Sequence, residues 1–202
     1  GDDRISGGAG NDVIDGGSGL DTAVFAGRRE DFAISRASTH WGTADTNLGD
    51  GNEGSDRLVA VERLAFTDGQ LALDLDGAAG HTVQIIRALF GPQYLDNEAF
   101  VGIGIALFDG GASYASVVEL AVSAVPAFAG GASNEAFIRH VYRNVIGVAP
   151  GADELAYFNS LFDAGIFTQA SLGLLACQID INVNSVELIG LATTGIEFMP
   201  PA

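Results

Sequence analysis

The 202-residue sequence predicts an α+β protein: a short parallel β-roll with a β-hairpin cap over residues 1–79, then an all-α helical domain over residues 80–202. Three observations carry this reading. Glycine-rich turns recur every nine residues up to Asp21, hairpin signals follow to about residue 79, and from there the apolar residues fall at helical spacing.

The nine-residue register comes first. Gly7–Asp12 and Gly16–Asp21 both read Gly-Gly-x-Gly-x-Asp, and Gly1-Asp2-Asp3 is the tail of a third copy. Asp3, Asp12 and Asp21 are nine apart, as are Ile5 and Ile14. Glycine lets the backbone enter the φ > 0 region, so each turn is tight and its carbonyls can converge. Each Asp adds a charged oxygen, and hard cations such as calcium take six to eight oxygens, many of them from the backbone. The apolar steps Arg4-Ile5 and Val13-Ile14 are strands too short to bury a face alone. Stacking such units places every second turn on the same edge, roughly 4.8 Å apart. Asp3 and Asp21 then share one edge and Asp12 lies on the other.

These turns resemble the RTX (hemolysin-type) calcium-binding nonapeptide repeat. The resemblance implies a β-roll with calcium held between stacked turns, one site formed by Asp3, Gly17, Gly19 and Asp21 and a second drawing on Asp12, Gly8 and Gly10. The turn expected to stack under Asp12 is Gly27–Asp31, in which Gly27 and Asp31 survive from the repeat.

Beyond the repeats, Thr22–Phe25, Asp31–Ser35, Arg57–Val59, Glu62–Phe66 and Leu71–Leu73 read as short strands, with Thr67–Gln70 as a hairpin turn. Residues 42–56 read as a polar loop, where Asp56, with Asp45 or Asp50, is a candidate for a further calcium. The loop is not an EF-hand, because counting from Asp45 places Asp50 where that motif requires glycine. The stretch from Gly51 to Leu75 resembles the segment that closes β-rolls in proteins exported by type I secretion, as a terminal repeat must be closed.

From about residue 80 the period changes. Phe137, Ile138, Val141, Tyr142 and Val145 share one helix face, with Ser133 as N-cap and Gly147 as stop. Similar signals place helices near 81–90, 97–108, 114–124, 152–163, 168–179 and 183–193. Asn134–Pro150 resembles a repeat found in a helical domain of unknown function in secreted bacterial RTX proteins, and His81–Gly91 resembles a degenerate first copy. The tail from Asn184 to Pro200 resembles the ends of such proteins, whose C-terminal segment carries an uncleaved type I export signal.

Charge narrows the partners. The chain has 26 acidic residues against nine arginines and no lysine, a net charge of −17. Nucleic acid and anionic membrane surfaces need clustered cations and are excluded as expected partners. Without lysine there is no Schiff-base or P-loop chemistry. One cysteine, Cys177, permits no internal disulfide and reads as a small buried residue. No apolar run reaches the length of a membrane span, so membrane insertion is not expected. The chain opens inside a repeat, which reads as the C-terminal part of a longer protein.

No catalytic constellation emerges. His40, His81 and His140 fall in no paired ligand spacing, and His140 reads as solvent-exposed beside Arg139 and Arg143. Ser113 and Ser133 read as helix caps, Asp153 and Glu154 as first-turn charges, and Trp41 as a packing residue. The expected function is a non-enzymatic, calcium-binding C-terminal module of a secreted, extracellular RTX protein. Its expected partners are calcium ions and the type I secretion machinery. The alternatives are an adhesion domain for a cell-surface polymer or protein, and an accessory part of a secreted hydrolase.

Overall fold

The computed structural model describes residues 1–49, 51–188 and 191–201. Asp50 and the Ile189-Gly190 step of the tail therefore lie outside the described residues. The first part forms two sheets. One joins β1 (Arg4–Ile5), β3 (Thr22–Val24), β7 (Arg63–Ala65), β8 (Gln70–Ala72) and β9 (Ile196–Phe198), in that order. The other joins β2 (Val13–Asp15), β6 (Ser55–Val59), β5 (Trp41–Asp45) and β4 (Phe32–Arg36).

The repeat register is visible in the pairing. β1 runs parallel to β3 with Arg4 opposite Thr22 and Ile5 opposite Ala23, an offset of 18 residues. β3 in turn runs parallel to β7, and β2 parallel to β6 with Val13 opposite Arg57. β1, β2 and β3 thus alternate between the two sheets, β4 to β6 stay in the second and β7 and β8 return to the first. The sheets close on a shared core of Ile14, Ala23, Phe25, Leu58, Leu64 and Leu71 with the rings of Phe32, Trp41 and Phe66. Phe25 and Phe66 stack with centroids 5.4 Å apart, and Phe32 packs at 4.9 Å from Phe25. Trp41 is buried, as a packing residue should be, and the Arg36 guanidinium lies over its ring.

The structure corrects the reading of residues 42–56 as loop. Trp41–Asp45 is a five-residue strand between β4 and β6, antiparallel to both. Its composition hides it: Gly42, Thr43 and Ala44 carry little apolar surface, and the alternation shows only in the burial of Trp41 and Thr43.

The second part is mostly helical: α1 (Ala78–Leu89), α2 (Glu98–Asp109), α3 (Tyr114–Ala124), α4 (Pro126–Ala129), α5 (Asn134–Ile146), α6 (Ala152–Asp163), α7 (Gln169–Gln178), α8 (Asp180–Leu188) and α9 (Leu191–Thr194). Ser113 Oγ accepts from Ser116 N at 3.2 Å and Ser133 Oγ from Ala136 N at 3.1 Å, each capping a helix start. Gly147 ends α5 with φ of 88°. The main core gathers Leu89, Phe90, Val118, Phe137, Ile138, Val141 and Leu172 around a fully buried Cys177. Among the described residues no single helix is long and apolar enough to cross a membrane.

Two expectations for this part need correction. His140 is not free in solvent: its Nε2 lies 2.9 Å from the Leu89 carbonyl and so donates, while Asn144 Nδ2 donates to the Ala88 carbonyl at 3.1 Å. One turn apart on α5, the two side chains satisfy carbonyls that α1 leaves open at its C-terminal end. The second correction is that residues 80–202 are not all-α. β9 returns to the first sheet and pairs antiparallel with β8, Ile196 opposite Ala72 and Phe198 opposite Gln70. A second core therefore spans both parts, joining Ala72 to Val83, Ile86, Val101, Ile105, Leu191, Ile196 and Phe198. Arg63, 3 % exposed, pins the junction: its guanidinium pairs with Asp74, bonds Asp109 Oδ1 at 2.9 Å and lies over the Phe198 ring.

Candidate metal centre

The two parallel stacks bring the repeat aspartates to opposite edges. On the first edge, Asp21 Oδ1 accepts the backbone N–H of Asp3 at 2.8 Å, and Glu62 Oε2 accepts that of Asp21 at 2.9 Å. Asp3, Asp21 and Glu62 thus stand in a column, with the carboxylates of Asp21 and Glu62 each reaching the main chain of the level before it. Asp2 Oδ1 ties the same levels by accepting from Leu20 N at 2.9 Å. Gly8, Gly10, Gly17 and Gly19 all hold positive φ, from 83° to 138°. Gly19 is constrained twice, because its φ is 138° and a Cβ there would collide with the Gly1 carbonyl of the adjacent level.

On the second edge, Asp12 is not stacked on Gly27–Asp31. Its backbone N–H donates to Asp56 Oδ1 at 2.9 Å, so the partner level is the start of β6. Asp31 instead ends a short 3-10 turn (Arg29–Asp31), where its carboxylate accepts from Arg28 N at 3.1 Å and Asn47 Nδ2 at 3.1 Å. Asp45 organises the neighbouring loop by accepting from Asn47 N and Glu53 N, both at 2.9 Å.

Glu62 is the site residue that sequence reasoning did not single out. Its signal is an acidic residue directly before a short strand, as in Asp3-Arg4-Ile5, Asp12-Val13-Ile14 and Asp21-Thr22-Ala23. The turn before Glu62 has no glycine. Ala60 supplies the positive φ, at 48°, and its carbonyl sits where a Cβ on Gly16 would fall.

Among the described residues, each edge holds a carboxylate oxygen with no protein partner. Asp12 Oδ2 and Asp21 Oδ2 are both buried and unbonded, and Asp21 is fully buried. An ionised oxygen in that position is costly unless a cation meets it. Asp56 shows the same pressure: burial pushes its carboxyl above the usual range and the Asp12 charge adds to this, against hydrogen bonds from Asp12 N–H and Thr43 Oγ1 that pull it down. Among the described residues no three His, Cys, Asp or Glu side chains converge on one point. An ion here must therefore draw on glycine-turn carbonyls as well as carboxylates, a donor set that suits calcium rather than zinc.

The family model for the RTX calcium-binding nonapeptide repeat (4 copies) matches residues 1–23. No curated protein matches the chain. The match covers β1 to β3 with the turns of Asp3, Asp12 and Asp21, and stops before Asp56 and Glu62. Residues 1–23 are therefore RTX-type calcium-binding repeats, and they imply calcium binding by this chain.

Proposed function

We infer that the chain is the calcium-folded module of a secreted RTX-type protein, in which the two stacked sheets act as a β-roll and the helical part rides on it. The observation that carries this is the pair of buried, unpartnered oxygens, Asp12 Oδ2 and Asp21 Oδ2, each inside a glycine turn. Asp3, Gly17, Gly19 and Asp21 would hold one calcium. Asp12, Gly8 and Gly10 would contribute to another. When bound, calcium supplies the positive charge that the buried carboxylates lack.

The chain's own residues supply the rest. Of the first 25 residues only Ile14, Ala23 and Phe25 are buried apolar side chains, and Val13 is 68 % exposed. So little apolar burial is a weak counterweight to the conformational entropy lost in ordering the glycine turns. The turns therefore depend on the ion. In a calcium-poor cytosol the acidic chain repels itself and stays open, a state suited to passage through a type I export channel. Outside, calcium at about 10⁻⁴–10⁻³ M meets the affinity range of extracellular modules, and binding becomes folding free energy. The resemblance of the tail to export signals fits this order, because β9 is free of β8 only before the sheet forms.

The test is calcium titration of the EDTA-stripped chain by calorimetry and circular dichroism. Calcium should bind and raise the β signal, and Asp21→Ala should weaken binding far more than Asp31→Ala. Absence of calcium binding at millimolar concentration refutes the reading.

A further inference from the structure

We propose that Asn52–Asp56 is a detached repeat turn, separated from its partner by the inserted β4–β5 hairpin, and that with Gly7–Asp12 it completes the second calcium site. The proposal rests on the calcium reading above and names what that reading leaves open, the far side of the Asp12 edge.

The equivalence holds bond by bond. On the first edge Asp21 Oδ1 accepts from Asp3 N, Leu20 N donates to Asp2 Oδ1, and Thr22 N donates to the Asp3 carbonyl at 2.8 Å. On the second edge Asp56 Oδ1 accepts from Asp12 N, Ser55 N donates to Asn11 Oδ1 at 2.8 Å, and Arg57 N donates to the Asp12 carbonyl at 2.9 Å. Each donor and acceptor has its counterpart one level away. The glycine is equivalent too. Gly54 has φ of 82°, and a Cβ there would collide with the Gly10 carbonyl, as one at Gly19 would with that of Gly1. The sequence Gly54-Ser55-Asp56 thus repeats the Gly-x-Asp of residues 1–3, 10–12 and 19–21 after a gap in which the nine-residue count is lost.

The hairpin makes this possible by folding out of the stack and returning at the right level. Asp45 N donates to the Gly54 carbonyl at 2.8 Å, and Glu53 Oε1 accepts from Ala26 N and Gly27 N, which closes the base of the insertion. Thr43 Oγ1 then holds the remaining Asp56 oxygen at 3.3 Å, leaving Asp12 Oδ2 as the buried oxygen without a partner.

Trp41, the sole tryptophan, supplies a local reporter, since it pairs across the sheet with Leu58, two residues beyond Asp56. The experiment uses the full chain and two probes, calcium by calorimetry and terbium by tryptophan-sensitised emission. The unsubstituted chain should bind terbium with emission that calcium quenches. Asp56→Asn should remove one calcium equivalent and the emission. Asp21→Asn should remove a different equivalent and keep the emission, and Asp31→Asn should remove neither. Calcium binding unchanged by Asp56→Asn, or terbium binding without sensitised emission in the unsubstituted chain, would overturn the proposal while the calcium reading stands. No calcium binding at all would overturn that reading itself. Because the emission test needs no substitution, a variant that fails to fold leaves the proposal testable.

Discussion

Replacing Phe198 by alanine tests whether the C-terminal strand joins the two parts into one folding unit. Phe198 is 4 % exposed and belongs to the core that runs from Ala72 through α1 and α2. Its ring carries the Arg63 guanidinium, and its strand is held on the far side by Met199 N donating to the Glu98 carbonyl at 3.1 Å. The approach is close enough that a Cβ on Gly102 would overlap the Met199 carbonyl. Collapse of the vacated volume requires β9 and α2, joined by these contacts, to shift together. The cost should therefore reach the range for buried Phe→Ala, about 3–5 kcal/mol. For a chain of this size that lowers the midpoint by about 6–20 °C. The assay is thermal and urea unfolding in calcium, followed by far-UV circular dichroism and by Trp41 fluorescence, which report helices and sheet separately. Both signals should shift together. Glu197→Ala on the same strand, which loses only a half-exposed pair with Arg29, should change stability by about 0.5 kcal/mol or less. A Phe198→Ala shift below about 1 kcal/mol, or a sheet transition that moves while the helical one stays, would refute the single-unit argument.

Gly19→Ala should weaken calcium binding and lower the melting temperature more than Gly17→Ala, because both need positive φ but only Gly19 lies against a neighbouring carbonyl; calorimetry and melting curves on the two variants decide it. His140 gives a pH dependence. Burial, with the Arg143 charge, holds its folded value below the usual histidine range despite the Leu89 hydrogen bond, so its contribution is fully present above about pH 6.5 and is lost as pH falls through the depressed folded value. Unfolding curves between neutral and mildly acidic pH should show this slope, and His140→Gln should flatten it. Burial pushes the Cys177 thiol up to about 12, so it should resist thiol reagents in the native chain and react once urea unfolds it; rapid native labelling would contradict the core packing. Arg63→Met should destabilise by about 3–5 kcal/mol by stranding Asp74 and Asp109, and recovery on adding Asp74→Asn and Asp109→Asn would show the charge origin of the loss.

The sequence by itself determined the nine-residue glycine–aspartate register, the offset of 18 between β1 and β3, the caps at Ser113 and Ser133, the stop at Gly147 and the burial of Cys177. All but the last are local, dictated by backbone conformation and residue spacing within a few turns, and the burial of Cys177 follows from its small apolar side chain. Only the tertiary structure decided which level stacks under Asp12, because a returning insertion preserves spatial register while destroying sequence register. It also decided that Glu62 closes the first column, since a carboxylate can take an aspartate's place at the end of a stack without its glycines. The return of β9 was invisible for the same reason. A strand of Ile196, Glu197 and Phe198 is too short to show a period, and only the open edge of β8 and the space beside Phe100 and Val101 give it a place. His140 shows the principle at a single residue: its spacing on α5 put it among charges, but the carbonyl it satisfies lies 51 positions away in the chain.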